Sequence, residues 1–184
     1  MGHRIDVETL DRIVKGAVGQ PIEDVVRDVI AGLVEAYGDA IYVNDDWVFS
    51  NAGGIMGTML VVHASLSEYM VIWGSPHGTE GHSGRHRAEL WDWVLAGELS
   101  TYRERDMRAT KYRPGECSHL PRRVANSSKA ADEGCWLLEY GRGNVASMLP
   151  FALMDIVTST LDWRGIWVTV KVYTQCVLRS LRAR

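Results

Sequence analysis

Glu139 stands inside an apolar run, Trp136-Leu137-Leu138-Glu139-Tyr140. Extended backbone sends alternate side chains to opposite faces, which puts Leu137 and Glu139 on one face and Trp136, Leu138 and Tyr140 on the other. Either face is apolar, so Glu139 points into a low-dielectric place. There an ionised carboxylate needs a partner, or the group keeps its proton. Two readings follow: a structural strand acid bonded to an arginine such as Arg142, or a carboxylic acid kept neutral for use on a substrate. A second embedded acid, Asp92, lies between aromatics in Glu89-Leu90-Trp91-Asp92-Trp93-Val94-Leu95. If the two meet in one pocket, like-charge repulsion raises one pKa and the pair shares a proton.

Other candidates compete. His77, His82 and His86, with Glu80 and Glu89, are the densest cluster of potential metal ligands, and Pro114-Gly115 followed by His119 echoes the second half of a cupin-like metal motif. The His-x-His spacing of that motif is missing, so turn and core histidines are the opposing reading. Gly81-His82-Ser83-Gly84 is not a nucleophile elbow, because Arg85 stands where a second glycine is required. Asn51-Ala52-Gly53-Gly54 opens strand-like sequence rather than a helix, which argues for a turn and against a phosphate cradle. Arg103, Arg105, Arg108, Lys111 and Arg113 alternate with Glu104 and Asp106, a solvated face rather than a nucleic-acid stripe.

The elements that must position these residues are readable in outline. The chain of 184 residues is long enough for one well-cored domain. A formal charge of -3 gives no global pull toward nucleic acid. Asp6 can cap a short helix with Leu10, Ile13 and Val14 on its apolar side, ending at Gly16 and Gly19. Pro21 opens a second, whose stripe of Ile22, Val25, Val26, Val29, Ile30, Leu33 and Val34 closes at Gly38. From residue 41 the texture becomes β, with runs at Trp47 to Ser50, Met56 to His63 and Glu68 to Trp73. Arg87 to Leu95 fits helix or strand, and Ser100 to Lys129 reads as exposed hairpins or loops. Many short strands between glycine-bearing turns point to a small barrel or sandwich.

The last forty or so residues return to helix. One stripe holds Val145, Met148, Leu149, Ala152, Leu153, Ile156 and Val157. A second helix, capped by Asp162, carries Ile166, Trp167, Val170, Tyr173, Val177 and Leu181 and ends in Arg179, Arg182 and Arg184. Such a pair suits a membrane interface, a packed hairpin on the barrel, or both at once. No stretch approaches the roughly 20 apolar residues of a membrane span. Cys117, Cys135 and Cys176 are odd in number and read as reduced thiols.

Several blocks in order and spacing carry a family resemblance. They are Ser50-Asn51-Ala52-Gly53-Gly54, His63-Ala64-Ser65-Leu66-Ser67-Glu68-Tyr69, Gly78-Thr79-Glu80-Gly81-His82-Ser83-Gly84 and Glu139-Tyr140-Gly141-Arg142-Gly143. Over nearly its whole length the chain resembles the family of fungal sterol C-8 isomerase and the sigma-1 receptor. Met148-Leu149-Pro150-Phe151 and Ser159-Thr160-Leu161-Asp162 resemble the isomerase more closely, and the Glu139 block and Asp92 the receptor. The resemblance implies an α+β, mainly β fold. It is a cupin-like β-barrel over residues 41–143, with N-terminal helices before it (1–40) and two C-terminal helices packed on it (144–184), all in one domain. It also implies a homotrimer, and places the C-terminal helices against a membrane as a peripheral attachment; with the thiols read as reduced, the cytoplasmic side in a reducing compartment is expected. Since the chain begins where the soluble part of the eukaryotic members begins, a homologue without an N-terminal anchor is expected.

By the same resemblance Glu139 is the acid that meets a ligand's cationic amine, and Asp92 the acid hydrogen-bonded to it. Tyr69 stands beside the pair. Met59, Trp73, Leu90, Leu149, Ala152 and Tyr173 fall on lining positions, and His119 falls near a family histidine. The metal reading recedes, since the family's barrel is not known as a metal site and His86 is a tyrosine in the receptor. The expected activity is the shift of a ring double bond of a sterol-like lipid from Δ8 to Δ7, by protonation and deprotonation without cofactor or metal. Cationic amphiphilic amines would mimic the intermediate. The alternative is a receptor-like protein that binds lipids or amines and catalyses nothing.

Overall fold

The computed structural model describes residues 4–182, with side chains through 180. The apolar Leu181 and the basic end read in Arg182 and Arg184 therefore fall outside the described side chains. Helix α1 spans Val7–Ala17, and its cap is the expected one: Asp6 Oδ1 accepts the Thr9 N–H at 2.9 Å. Helix α2 spans Ile22–Tyr37 behind Pro21 and stops at Gly38, whose φ of +52° suits a residue without a Cβ. The buried stripes, Leu10 and Val14 on α1 and Val25, Val29 and Leu33 on α2, are those the periodicity predicts.

Eight strands of one sheet follow among the described residues: β1 Val48–Ala52, β2 Ile55–Ala64, β3 Glu68–Ser75, β4 Thr79–His82, β5 Ala88–Tyr102, β6 Thr110–Tyr112, β7 Cys117–Leu120 and β8 Ser127–Gly143. All pairings are antiparallel, in the order β1-β2-β3-β8-β5-β6, with β4 also on β8 and β7 also on β5. The long ribbon of β5 and β8 is the spine. Its register breaks between Val94 and Ala96 and again between Gly97 and Leu99. Gly97 and Gly134 sit at those breaks with φ of +80° and +97°, which an L side chain would resist. Bulges of this kind bend a ribbon, and the sheet curls around one concave face. It does not close: among the described residues no strand joins β1 to β6. The expected mainly β architecture with helices at both ends is present, but as an open, curled sheet rather than a closed barrel.

Two hairpins explain family blocks. Gly53 and Gly54, with φ of +62° and +85°, make the two-residue turn between β1 and β2. Between β2 and β3, the Ser65 N–H donates to the Glu68 carbonyl at 2.8 Å, and the Glu68 N–H donates back to Ser65 Oγ at 3.1 Å.

The sheet's two faces have different partners. On the convex face, Leu60, Ile72, Trp93, Leu138 and Tyr140 meet α1 and α2 in the main core. Leu60, Ile72 and Leu138 leave water completely, worth about 1.5–3 kcal/mol apiece. Trp93 Nε1 donates to Asp11 Oδ1 at 3.2 Å, tying α1 to β5. On the concave face lie the cavity and the C-terminal helices. The single stripe expected from residue 145 onward is broken into a 3-10 turn (Val145–Met148), helix α3 (Leu149–Asp155) and a π turn (Ile156–Thr160). Thr158 and Thr160 hydroxyls donate back to the Met154 and Ile156 carbonyls at 2.8 and 3.4 Å, which favours such irregularity. Helix α4 (Trp163–Arg182) then docks through Val172 and Cys176 against Val61, Ala64 and Val71. Tyr173 donates to the Ser65 carbonyl at 3.0 Å, and Tyr42 to Gln175 Oε1 at 2.8 Å.

Candidate active site

Glu139 lies on β8 between two neighbours that set its surroundings. Val71 of β3 is its register partner on one side and Asp92 of β5 on the other. Directly opposed residues of adjacent strands present their side chains to the same face about 4.5–5.5 Å apart. The two acids that are 47 positions apart in sequence (139 minus 92) therefore meet on the concave face. The alternation read from the run holds: Leu137 and Glu139 line the cavity, while Leu138 and Tyr140 enter the main core with Trp136 packed against it. Arg142 is not the partner of Glu139. It lies over the Trp91 ring, 4.7 Å from its centroid, and reaches Glu89 at 3.5 Å.

The hydrogen-bond partner of Glu139 is Tyr69, whose hydroxyl donates to Glu139 Oε1 in a short contact. Tyr69 pairs in register with Gly141, two residues beyond Glu139 on the same face. Its ring lies over Gly141, where a Cβ would overlap it, and this lets the hydroxyl reach along β8 to the carboxylate. The Glu139-Tyr140-Gly141 block is thus one device: acid, core anchor, and a flat seat for the tyrosine.

Burial pushes both carboxyl groups up from their ordinary range, and the charge at Glu139 raises Asp92 well above it. The Tyr69 bond pulls Glu139 back down. The arrangement favours one proton held by the pair, resident on Asp92, with Glu139 as the carboxylate. Asp92 Oδ1 is buried without a hydrogen-bond partner among the described residues, which suits a neutral acid better than a charged one. Tyr69 itself is raised well above its usual range by burial and by Glu139, so it stays a donor.

The acids open into a cavity of about 250 Å³ with a mostly apolar wall. Met59, Trp73, Leu90, Leu149, Ala152 and Tyr173 all line it together with Tyr69, Asp92 and Glu139. His119 does not. On β7, Ser118 and Leu120 turn inward, and Leu120 takes the lining position. His119 faces out, stacked on Trp91 at 4.9 Å and 3.0 Å from Glu89 Oε1. The displacement is one residue, and a one-residue slip in a strand exchanges faces. Sequence reading also passed over His82, Ser83, His86 and Asn126 as cavity residues. The Gly81-His82-Ser83-Gly84 block is a signal for the first two, though its pattern suits neither a nucleophile elbow nor a metal motif. Among the described residues no three His, Cys, Asp or Glu side chains converge as a metal site; His77 sits exposed on its turn.

A curled antiparallel sheet that buries two neighbouring carboxyl groups in an apolar cavity is the setting for a hydrophobic ligand with a charged or protonated centre. The family model described as "ERG2 and Sigma1 receptor like protein" matches residues 2–184, and the chain belongs to that family. It is 37% identical to the C-8 sterol isomerase ERG2 of Gibberella zeae, over 96% of this chain and 76% of that one. It is 36% identical to sigma non-opioid intracellular receptor 1 of Xenopus tropicalis, over 93% and 78% of the respective chains. Among solved structures, KdgF from Halomonas sp. aligns with a TM-score of 0.48 at 15% identity, over 59% of this chain and 98% of that one.

Proposed function

We propose that this chain is an isomerase that moves a ring double bond of a sterol-like lipid from the Δ8 to the Δ7 position. The observation that carries the reading is the Asp92/Glu139 pair, cross-strand neighbours in an apolar cavity with Tyr69 bonded to only one of them. Protonating an unactivated alkene demands a dry and well-aimed acid; burial keeps the proton on Asp92 above the ordinary carboxylate range, and the apolar cavity excludes competing water. The alkene's π electrons take the Asp92 proton at one carbon, which leaves the other a tertiary cation. The Glu139 carboxylate and the faces of Tyr69 and Trp73 stabilise that cation. A proton then leaves the neighbouring carbon for Glu139, and the C–H electrons become the new double bond. The pair ends with the one proton it began with, so the cycle needs no redox partner.

The fungal relatives named C-8 sterol isomerase support this reading. Receptor-named relatives of similar identity support the second: the same carboxylate, held as an anion by Tyr69, binds an ammonium without catalysis. Incubation with a Δ8-sterol separates them. The Δ7 product appears with the wild-type protein and falls by about 10²–10⁴-fold in Glu139→Gln, the usual contribution of a general acid or base. No product from wild type that still binds amines through Glu139 would defeat the enzyme reading.

The same proposal includes attachment to a membrane surface through α3 and α4, on the cytoplasmic side in a reducing compartment, and assembly as a homotrimer. The exposed side chains of Met154, Val157, Leu161, Trp163 and Trp167 support the first. Among the described residues no helix is long and apolar enough to cross a membrane. The three cysteines are free, and burial pushes Cys117 and Cys135 up to about 12, which leaves them unreactive as thiols. Mass measurement in solution reads the trimer directly.

A further inference from the structure

The cavity wall carries a second polar focus that the proton shift leaves unused. His82 stands exposed at the rim and His86 is buried just inside, both lining the cavity. Their ring protons can be placed from their partners. His86 Nε2 lies 2.7 Å from the Ser83 carbonyl, which only accepts, so Nε2 carries the proton and Nδ1 is a bare lone pair. His82 Nδ1 accepts the Gly84 N–H at 2.9 Å, so the proton of the neutral ring is on Nε2. Burial, aided by the nearby His82 ring and opposed by the Ser83 carbonyl, holds His86 below its ordinary range and therefore neutral at pH 7. Phe151 packs edge-on against the His86 ring, with centroids 5.0 Å apart, and fixes its plane.

Among the described residues no hydrogen bond engages His82 Nε2 or His86 Nδ1. His86 Nδ1 is not walled off as His63 Nε2 and Asp92 Oδ1 are, and His82 is exposed as a residue. Ser83 Oγ accepts the Asn126 N–H at 3.0 Å, and Ser128 Oγ donates to Asn126 Oδ1 at 3.4 Å, which leaves the Asn126 amide as a further donor nearby. The two adjacent rings themselves present one donor and one acceptor. A hydroxyl is the group that answers both, since it accepts and donates at one oxygen. A ketone would leave His86 Nδ1 unmet, and a hydrocarbon would leave both atoms unmet. His82 pairs with Ser127 at the start of β8, whereas Glu139 lies near its other end, so the two polar foci are separate.

We propose that His82 and His86 form a hydroxyl-recognition subsite, His82 Nε2–H donating to the lipid's alcohol oxygen and His86 Nδ1 accepting its proton. The subsite selects alcohol-bearing lipids and orients them end-on, with the alcohol at the rim and the hydrocarbon running toward the acid pair. It rests on the sterol-like reading for its choice of probes. Binding alone is measured, so absence of turnover would overturn that reading without touching this one.

The test displaces a fluorescent cationic amine from the cavity with three compounds of one skeleton: a sterol alcohol, the corresponding ketone and the parent hydrocarbon. Wild type binds the alcohol about tenfold or more tighter than the hydrocarbon, from two modest hydrogen bonds, with the ketone between them. In His86→Phe the alcohol loses its advantage over the ketone. In His82→Phe the ketone loses its advantage over the hydrocarbon. The ratios are the readout, because general damage to the cavity weakens all three ligands together. A wild type that does not prefer the alcohol, or ratios that survive in both variants, would overturn the subsite.

Discussion

At the scale of single residues, the acid pair has consequences for pH that Asp92→Asn isolates. The folded-state pKa of Asp92 is raised well above its ordinary value, so the folded protein binds this proton more tightly than the unfolded chain. Its contribution is therefore favourable at low pH and is lost as pH rises above the ordinary carboxylate range toward the folded value. Replacement by Asn should flatten the fall in stability across that window, and denaturant unfolding at a series of pH values reads it. Gly141 offers a second prediction. An added Cβ collides with the Tyr69 ring, and without the Tyr69 bond Glu139 titrates higher. Gly141→Ala and Tyr69→Phe should both move the onset of amine binding to higher pH, and at neutral pH weaken it by roughly ten- to a hundredfold, the worth of a hydrogen bond to a charged group. A Gly141→Ala protein with the wild-type pH profile would show that the seat under Tyr69 is immaterial. The burial of Glu139 was legible, because alternation needs only local sequence. Its meeting with Asp92 was legible only through the family resemblance, because register between distant strands is fixed by long-range pairing and by the bulges at Val94/Ala96 and Gly97/Leu99. His119 failed for the same reason, since one residue of slip in β7 exchanged its place with Leu120.

Among the elements, legibility followed the range of the interactions that set them. α1 and α2 were readable to within a residue or two at their caps, because caps and stripes are local. Arg87 to Leu95 fitted two periods. Pairing with β8 along nearly its whole length made it part of strand β5. The segment from Ser100 to Lys129, expected as exposed hairpins or loops, holds the short strands β6 and β7 and buries Thr101, Leu120, Ala125 and Asn126. Its alternating charges obscured the inward positions. Helix α4 has apolar residues on two sides: Val172 and Cys176 face the sheet, while Trp163, Trp167, Val170 and Leu178 face out. The α1 cap carries the prediction at this scale. Asp6 accepts the Thr9 N–H and lies 3.3 Å from the Tyr37 hydroxyl at the end of α2. The Thr9 bonds lower its pKa, so its stabilisation is present above the ordinary carboxylate range and lost as pH falls through the folded value. Asp6→Ala should destabilise the protein by about 1 kcal/mol at neutral pH, the common effect of removing such a cap. Amine affinity should stay at its wild-type value, since α1 packs on the convex face. Calorimetric or chemical unfolding with a parallel binding titration measures both, and a changed affinity would mean the two faces are coupled.

For the molecule as a whole, the two faces of the sheet divide the labour. The convex face spends its apolar residues on α1 and α2, whereas the concave face keeps a cavity and leaves the outer sides of α3 and α4 uncovered. The exposed stripe on α4, Trp163, Trp167, Val170 and Leu178, recurs at helical spacing beside Arg164, Lys171 and Arg179. Two of those cations are already engaged: Lys171 is 3.7 Å from Asp46, and Arg179 lies over the Tyr42 ring. The formal charge of -3 also opposes an anionic surface. Apolar insertion should therefore outweigh electrostatics in the proposed membrane attachment. The protein is expected to float with neutral phosphatidylcholine vesicles nearly as well as with anionic ones, and to resist release by salt. Removing both tryptophans, Trp163→Ala with Trp167→Ala, should lower the partition by roughly tenfold or more, from lost apolar burial of at least a kilocalorie or two. Because neither ring lines the cavity, amine binding in detergent solution serves as the control for folding. If the double variant floats like the wild type, the outer faces of these helices meet something other than lipid. The apolar ligand would then have to reach the cavity from water.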